Sequence, residues 1–215
     1  MSDETDLQKR AVAEAAAELV RDGMRVGLGT GTTFAYVLPY LAELGRDAVY
    51  VATSRQTDEA ARALGLTVEA FDALDRLDLA LDGADQVDPA CWLVKGGGAA
   101  HTREKIVAAA ADRFVVLVSE NKLVDAIRPP IPLELFAFGL EATLRHVGSV
   151  ELRDAPPSPD GNVIADYLGG IGDPAALAER LSATPGVVEH GLFPPALVGE
   201  VLIGTTAGIE TMRPS

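Results

Sequence analysis

Cysteine and histidine are nearly absent from this 215-residue sequence, which contains one cysteine, Cys91, and three histidines. A single cysteine excludes an internal disulfide and leaves histidine or carboxylates as the ligands for any metal. The histidines at positions 101, 146 and 190 are widely separated, and neither an HExxH nor a CxxC pattern occurs. The sequence therefore gives little support for a dedicated metal centre, and we expect no metal site.

Long hydrophobic runs are also missing. No apolar stretch approaches the roughly 18 to 20 residues that a membrane-spanning helix requires. The N-terminal residues are acidic and polar, whereas a secretion signal is basic and then apolar. We therefore expect a cytoplasmic protein with no membrane partner. The hydrophobic content of 48% is sufficient for one large core, or for one core with a small appended lobe.

Positive charge is scarce, because 18 lysines and arginines stand against 32 aspartates and glutamates, for a formal net charge of −14. This balance disfavours nucleic acid as a partner, since neutralising phosphates requires clustered basic residues. A phosphate ester would also be repelled by the protein as a whole, so its site would have to supply local donors. Only Lys9, Lys95, Lys105 and Lys122 are lysines, and these positions therefore merit scrutiny.

The order of hydrophobic segments predicts an α/β fold. Helices are predicted at residues 3–20, 34–44, 56–64 and 99–111. Short apolar strands are predicted at residues 24–28, 49–52, 67–70, 79–81, 92–94 and 114–118. Alternation of this kind is typical of a mostly parallel, doubly wound sheet that helices cover on both faces.

The composition changes after Lys122, where a proline-rich segment at 128–132 resembles a linker. Beyond it, helices at 136–147 and 174–182 and strands at 150–153, 162–167 and 187–191 suit a smaller α+β lobe. The apolar stretch 198–203 can return to the main sheet. We therefore predict a Rossmann-like catalytic domain of residues 1–127 plus 201–215, and a lid or oligomerisation lobe of residues 128–200.

A glycine-rich loop, GLGTGTT at residues 27–33, joins a predicted strand to a predicted helix. It lacks the third glycine of GxGxxG and the Gly-Lys pair of a P-loop, which disfavours a dinucleotide or ATP site. Its exposed N–H groups and the hydroxyls of Thr30, Thr32 and Thr33 would suit a phosphate monoester. The alternative is a tight turn that needs glycine for its geometry alone. Residues 53–57, TSRQT, supply further donors at the same sheet edge.

Two more loops place charges among glycines. Asp82 and Asp85 follow an apolar strand, where they could hold sugar hydroxyls, shuttle protons or simply cap a turn. Lys95 precedes three glycines, which let a ligand approach the backbone. Its ammonium could face an enediolate or pair with one of the aspartates, and the two interpretations are compatible.

Glu104 lies in the first turn of a predicted helix, where a glutamate often only complements the helix dipole. It could also serve as a general base. Burial near Ala99 and Ala100 would raise the pKa of Glu104, whereas a neighbouring Lys95 would lower it. The sequence leaves the balance between these two effects open.

Together these motifs resemble those of the type A ribose-5-phosphate isomerases, in the same order over nearly the whole chain. The resemblance is carried by GLGTGTT (27–33), TSRQT (53–57), DGADQ (82–86), KGGGAAHTREK (95–105), NKLV (121–124), PGVVEHGLF (185–193) and LIGT (202–205). Thr32 stands where the family usually has serine, Gln86 where it has glutamate and His101 where it has leucine. Asn121 replaces a small or hydroxyl residue, and the connection at 156–161 looks shorter than in many members.

The resemblance implies reversible conversion of D-ribose 5-phosphate to D-ribulose 5-phosphate in the pentose phosphate pathway, through an enediol and without a metal or organic cofactor. By position, Glu104 would be the base, Asp82 would help to open the furanose ring, and Asp85 and Lys95 would bind sugar oxygens and stabilise negative charge. The residues expected to bind substrate are Thr30, Gly31, Thr32, Thr33, Asp82, Gly83, Ala84, Asp85, Lys95, Gly96, Gly97, Gly98 and Lys122, with Lys9 as a further candidate. The family also suggests a homodimer or homotetramer.

Three other functions compete with this one. The chain could be a non-catalytic sugar-phosphate sensor, although it lacks a basic helix-turn-helix segment. It could be a related sugar-phosphate enzyme, such as a lactonase or an amino-sugar deaminase. A metal-dependent isomerase that transfers hydride is the third alternative.

Overall fold

The computed structural model describes residues 2–214, and within that range the chain forms six α-helices and thirteen strands. The helices are α1 Ser2–Ala17, α2 Phe34–Leu44, α3 Arg55–Ala63, α4 His101–Ala110, α5 Leu140–Val147 and α6 Pro174–Ser182. The strands are β1 Arg25–Leu28, β2 Val49–Ala52, β3 Leu79–Gly83, β4 Gln86–Val87, β5 Leu93–Val94, β6 Phe114–Ser119, β7 Ile131–Leu135, β8 Val150–Leu152, β9 Val163–Tyr167, β10 Val187–His190, β11 Leu192–Phe193, β12 Glu200–Thr205 and β13 Gly208–Met212. None of these helices is both long and apolar enough to cross a membrane.

The largest sheet has six strands in the order β13-β12-β6-β3-β1-β2. All neighbours in it are parallel except β12 and β13, which pair antiparallel over five residues. The carboxyl ends of β1 and β3 therefore lie side by side at one edge, and the loops that follow them can meet there. That edge is where open α/β sheets bind ligands.

Hydrophobic residues cover both faces of this sheet because successive strand residues point to opposite sides. Leu79 and Leu81 of β3 pack in one core with α1 and α2, while Ala80 between them packs in a second core with α4. Strand β6 is buried at all six positions, as expected of a strand that is covered on both faces. The predicted mostly parallel, doubly wound α/β class is confirmed.

Two smaller antiparallel sheets complete the fold. The four strands β10-β7-β9-β8 form one of them, and helices α5 and α6 contribute to its hydrophobic core. Strands β11-β5-β4 form the other, in which β11, late in the chain, pairs with β5. This pairing holds the start of the Gly96–Gly98 segment against residues 191–193, which follow the small lobe's last strand. The predicted smaller α+β lobe is thus present as a four-stranded antiparallel sheet with two helices.

Several local predictions differ from the structure. The strand predicted at 67–70 is reduced to a single bridge between Val68 and Tyr50, and the strand predicted at 92–94 is shorter and belongs to the separate three-stranded sheet. The segment 128–132, predicted as a linker, ends inside β7, and the helix predicted from 136 begins at Leu140. Strand β13 was not predicted because its mostly exposed residues carry no hydrophobic alternation.

Candidate functional site

A cavity of about 290 Å³ opens at the carboxyl ends of β1 and β3, beside the start of α4. Three loops form its walls: the one between β1 and α2, the one after β3, and the glycine segment after β5. The residues that line it are Thr30, Gly31, Thr32, Thr33, Gly83, Ala84, Asp85, Lys95, Gly96, Gly97, Gly98, Glu104 and Lys122. Apart from Asp82 and the further candidate Lys9, every predicted catalytic and substrate-binding residue lines this cavity, and Asp82 lies directly behind its wall.

Asp82 is held at the end of β3 with only 3% of its surface exposed. The N–H groups of Gly83 and Thr30 donate to its Oδ1 at 2.7 and 3.2 Å. Gly29 must be glycine here, since a Cβ at that position would overlap the Asp82 carboxylate. The loop after β1 therefore lies close to Asp82 and fixes its carboxylate through Oδ1. The second oxygen, Oδ2, is left for other contacts.

Lys95 brings the two buried carboxylates together. Its Nζ lies 2.9 Å from Asp82 Oδ2 and 3.1 Å from Glu104 Oε2, and it donates to the carbonyl oxygen of Gly83 at 2.6 Å. Lys95 is 3% exposed and Glu104 is 4% exposed. Groups from the end of β3 and from α4 thus converge on the ammonium of Lys95, which follows β5. The predicted pairing of Lys95 with an aspartate is present, together with a second pairing to Glu104.

One ammonium cannot neutralise two carboxylates, so the fully ionised cluster would carry one excess negative charge. Burial, and then the Asp82 charge, raise the pKa of Glu104 to about 8, against the opposing effect of Lys95. Burial also raises the pKa of Asp82 despite Lys95. For Lys95, burial favours the neutral form, but the two carboxylates outweigh it and raise the pKa. The balance that the sequence left open thus falls on the side of burial, and the carboxyl group of Glu104 can exchange a proton near neutral pH.

The opposite wall of the cavity suits an anion. Thr32 and Thr33 lie immediately before the first residue of α2, where the positive end of the helix dipole favours negative charge. Lys122 reaches the same cavity from a short 3₁₀ turn after β6. Within residues 2–214 its ammonium has no carboxylate partner, so it is available to a ligand. This end of the cavity can bind a phosphate group although the whole protein is strongly acidic.

The contacts of Thr30 differ from those of Thr32 and Thr33. Its hydroxyl lies 3.0 Å from that of Thr53 and 2.9 Å from that of Ser54. Thr57 joins this group by donating its hydroxyl to the carbonyl of Gly29 at 2.9 Å. The TSRQT segment, predicted as a second set of donors at this edge, therefore braces the glycine loop from behind through a hydroxyl cluster.

Asp85 and Arg153 shape the glycine segment between them. The N–H of Gly97 donates to Asp85 Oδ2 at 2.9 Å, and both residues line the cavity. The Asp85 carboxylate therefore borders the cavity, whereas that of Asp82 lies behind it. Arg153, just after β8, donates to the carbonyl of Gly96 at 2.9 Å and also pairs with Asp166. Arg153 was not predicted, because a single arginine after a short strand carries no local signal of a contact 57 residues away.

Lys9 is the one candidate that the structure places elsewhere. It lies on α1, 3.7 Å from Asp6, and lines a separate depression with Glu120 and Asn121. Among the residues that the structure describes, no group of three or more histidine, cysteine or carboxylate side chains is arranged to hold a metal ion.

The cavity thus joins a base of raised pKa, an adjacent buried cation and an anion-binding loop. Such an arrangement can move a proton next to a carbonyl on a small phosphorylated molecule, because the base and the charge-stabilising group lie side by side. With the α/β fold around it, this arrangement fits an enzyme that acts on a small phosphorylated molecule.

Comparison with known proteins identifies the family. The model for ribose 5-phosphate isomerase A (phosphoriboisomerase A) matches residues 49–208. The chain is 43% identical to ribose-5-phosphate isomerase A of Rhodopseudomonas palustris (strain HaA2), over 97% of each chain. The solved ribose 5-phosphate isomerase A of Methanocaldococcus jannaschii superposes with a TM-score of 0.92 at 35% identity, covering 97% of this chain and 99% of that one.

A solved D-ribose-5-phosphate isomerase in complex with phospho-erythronic acid is also similar, with a TM-score of 0.91, 36% identity and coverage of 97% and 99%. The chain therefore belongs to the ribose 5-phosphate isomerase A family, as its motifs suggested.

The raised pKa of Glu104 predicts a pH-dependent cost in stability. The folded protein holds a proton on Glu104 that the unfolded chain releases, so this group lowers the free energy of unfolding as pH rises from about 4.5 to about 8. We expect Glu104→Gln to unfold at higher urea concentration than the wild type at pH 8.5, with a smaller difference at pH 5. Glu179→Gln, on the exposed face of α6, is the matched control and should show no such trend. An equal difference at both pH values would contradict the assignment.

Proposed function

We propose that this protein interconverts D-ribose 5-phosphate and D-ribulose 5-phosphate by proton transfer through an enediol, the step that its family supplies to the pentose phosphate pathway. Membership of the family supports the substrate and the reaction. The observation that carries the proposal is the position of Lys95 Nζ, 2.9 and 3.1 Å from the Asp82 and Glu104 carboxylates, in a cavity that also contains the anion-binding loop.

In the proposed mechanism, Glu104 removes the proton from carbon 2 of the open-chain aldose. The electron pair moves into a carbon–carbon double bond, and the negative charge that develops on oxygen 1 is stabilised by the Lys95 ammonium. Return of the proton to carbon 1, with transfer of the oxygen 2 hydroxyl proton to oxygen 1, gives the ketose. One base therefore serves both carbons, which requires that they lie within reach of the same carboxylate.

We propose that Asp82 assists opening of the furanose ring and that Asp85 binds the sugar. Asp82 Oδ1 is occupied by two backbone N–H groups, so its Oδ2, beside Lys95, is the oxygen that can exchange a proton with the ring. Asp85, at the cavity surface, is placed to accept hydrogen bonds from sugar hydroxyls. The phosphate would lie at Gly31, Thr32, Thr33 and Lys122, where the start of α2 and a free ammonium favour an anion.

The decisive experiment is removal of the base. Glu104→Gln keeps the volume of the side chain but cannot accept the proton, so we expect kcat to fall by about two to three orders of magnitude with the fold retained. This loss is measured by the absorbance of the ketose formed from ribose 5-phosphate, with a chelator present. Glu179→Gln is the control, and its activity should equal that of the wild type. Retention of most activity would remove Glu104 from the role of base, and absence of turnover in the wild type would overturn the proposed function itself.

The pH dependence of catalysis should follow the same group. Because Glu104 acts as a base only when it is deprotonated, kcat/KM should rise with pH, reach half of its maximum near pH 8 and level off about one pH unit higher. Initial rates at limiting substrate, from about pH 7 upward, avoid the second ionisation of the phosphate near pH 6. A profile that is flat or falls over this interval would contradict the raised pKa.

We further propose that residues 128–200 form a lobe that joins copies of the chain into a homodimer or homotetramer. Apolar side chains on this part of the chain support the idea: Phe138 is 95% exposed and Phe136, Leu152 and Leu168 are about half exposed. Light scattering coupled to gel filtration should give a multiple of the 22.5 kDa chain mass. A monomeric mass that persists at high protein concentration would contradict this assembly.

The cytoplasm is the compartment that we propose for this reaction. The lone cysteine, Cys91, is buried and unpaired, which is compatible with a reducing environment. Cell fractionation with activity measured in each fraction tests this assignment, and activity confined to a membrane or extracellular fraction would contradict it.

A further inference from the structure

Beyond the carboxylates, one aromatic ring lies against the catalytic lysine. The Lys95 ammonium sits over the Phe193 ring, 5.6 Å from its centroid, and the Lys105 ammonium sits over the same ring at 4.9 Å. Both distances fall within the roughly 6 Å over which the face of an aromatic ring attracts a cation. Phe193 and Lys95 are buried, so water does not weaken the contact between them.

The position of Phe193 relative to Lys95 is fixed by the backbone. Strand β11 pairs antiparallel with β5, which ends one residue before Lys95, and the Lys95 N–H donates to the carbonyl of Gly191 at 2.8 Å. A Cβ at position 191 would overlap the carbonyl oxygen of Lys95, so this approach depends on glycine. The ring is therefore held by the same hydrogen bonds that position the backbone of the lysine.

Lys105 links the ring to the helix that carries the base. It follows Glu104 on α4 and lies 2.6 Å from Glu189 Oε1, while donating to the carbonyl of His190 at 2.7 Å. Its ammonium thus joins α4 to the end of β10, two residues before β11. The Phe193 ring therefore contacts both Lys95 and Lys105, the residue that follows Glu104 on α4.

The ring can hold Lys95 in a way that the carboxylates cannot. The ammonium donates to the carbonyl of Gly83 and lies 2.9 and 3.1 Å from oxygens of Asp82 and Glu104, so a substrate oxygen that binds it competes with these oxygens. An aromatic face attracts the positive charge without competing for a single N–H direction. The cation can therefore change hydrogen-bond partners while its position stays the same.

We propose that Phe193 is a positioning residue, whose ring face holds the Lys95 and Lys105 ammonium groups and so fixes the cation and the base around the reacting carbons. The inference rests on the proposed function, because it assigns Lys95 its role in that reaction. The residue itself does not touch the substrate cavity, so it acts through the two lysines. We expect its loss to lower kcat with little effect on KM, since ground-state binding depends on the phosphate loop.

Stepwise fluorination of the ring tests this role, because fluorine withdraws charge from the aromatic face while nearly preserving its shape. We would replace Phe193 by 4-fluoro-, 3,5-difluoro- and 3,4,5-trifluorophenylalanine and measure kcat and KM for ribose 5-phosphate. We expect kcat to fall at each step, by about tenfold for the trifluoro ring, with KM unchanged within about twofold. Thermal unfolding of each variant checks that the fold is retained.

Phe114 provides the matched control. Its ring lies 6.5 Å from that of Phe193 and is equally buried, but it contacts neither lysine. The same fluorinated series at Phe114 should leave kcat unchanged. A flat series at Phe193, or an equal decline at Phe114, would overturn the proposal. Either result with an active wild type refutes the role of Phe193 alone, whereas an inactive wild type refutes the proposed function.

Discussion

The structure depends on one buried ammonium group that is shared by two buried carboxylates. Lys95, Asp82 and Glu104 come from three different segments, and each is almost completely withdrawn from water. Burying such charges is unfavourable unless they are paired and hydrogen-bonded, so the loops around them must be held closely in place. The cluster is unbalanced, since one cation faces two buried carboxylates, and the pKa values of both carboxyl groups are raised.

Much of the surrounding fold can be understood as support for this cluster. Gly29 allows the β1 loop to approach Asp82, and the hydroxyls of Thr30, Thr53, Ser54 and Thr57 tie that loop to the next strand. Arg153, just after β8 of the four-stranded antiparallel sheet, donates to the carbonyl of Gly96 and so holds the glycine segment. Residues outside the cluster therefore set the distances between its charged groups.

The end of the cavity that suits an anion, at Thr32, Thr33 and Lys122, belongs to a protein with little positive charge. With a net charge of −14 the protein repels anions at long range, so attraction must be local. Backbone N–H groups at the start of α2 supply partial charges that no net-charge count includes, and Lys122 adds a full one. Binding of a phosphate ester is thus compatible with an acidic surface, because the site is small and its donors are fixed.

The α/β class, most element positions and, through the resemblance of its motifs, the residues that line the cavity could be predicted from the sequence. Glycines between charged residues, strand-to-loop spacing and ordered motifs are local features of the chain. The tertiary structure was needed to show that Glu104 has a raised pKa, that the Thr30 hydroxyl contacts those of Thr53 and Ser54, that Arg153 contacts Gly96 and that Phe193 contacts two lysines. Burial, the distance between charges and contacts across 57 or more residues arise only when segments far apart in the chain are packed together, and no local pattern encodes them.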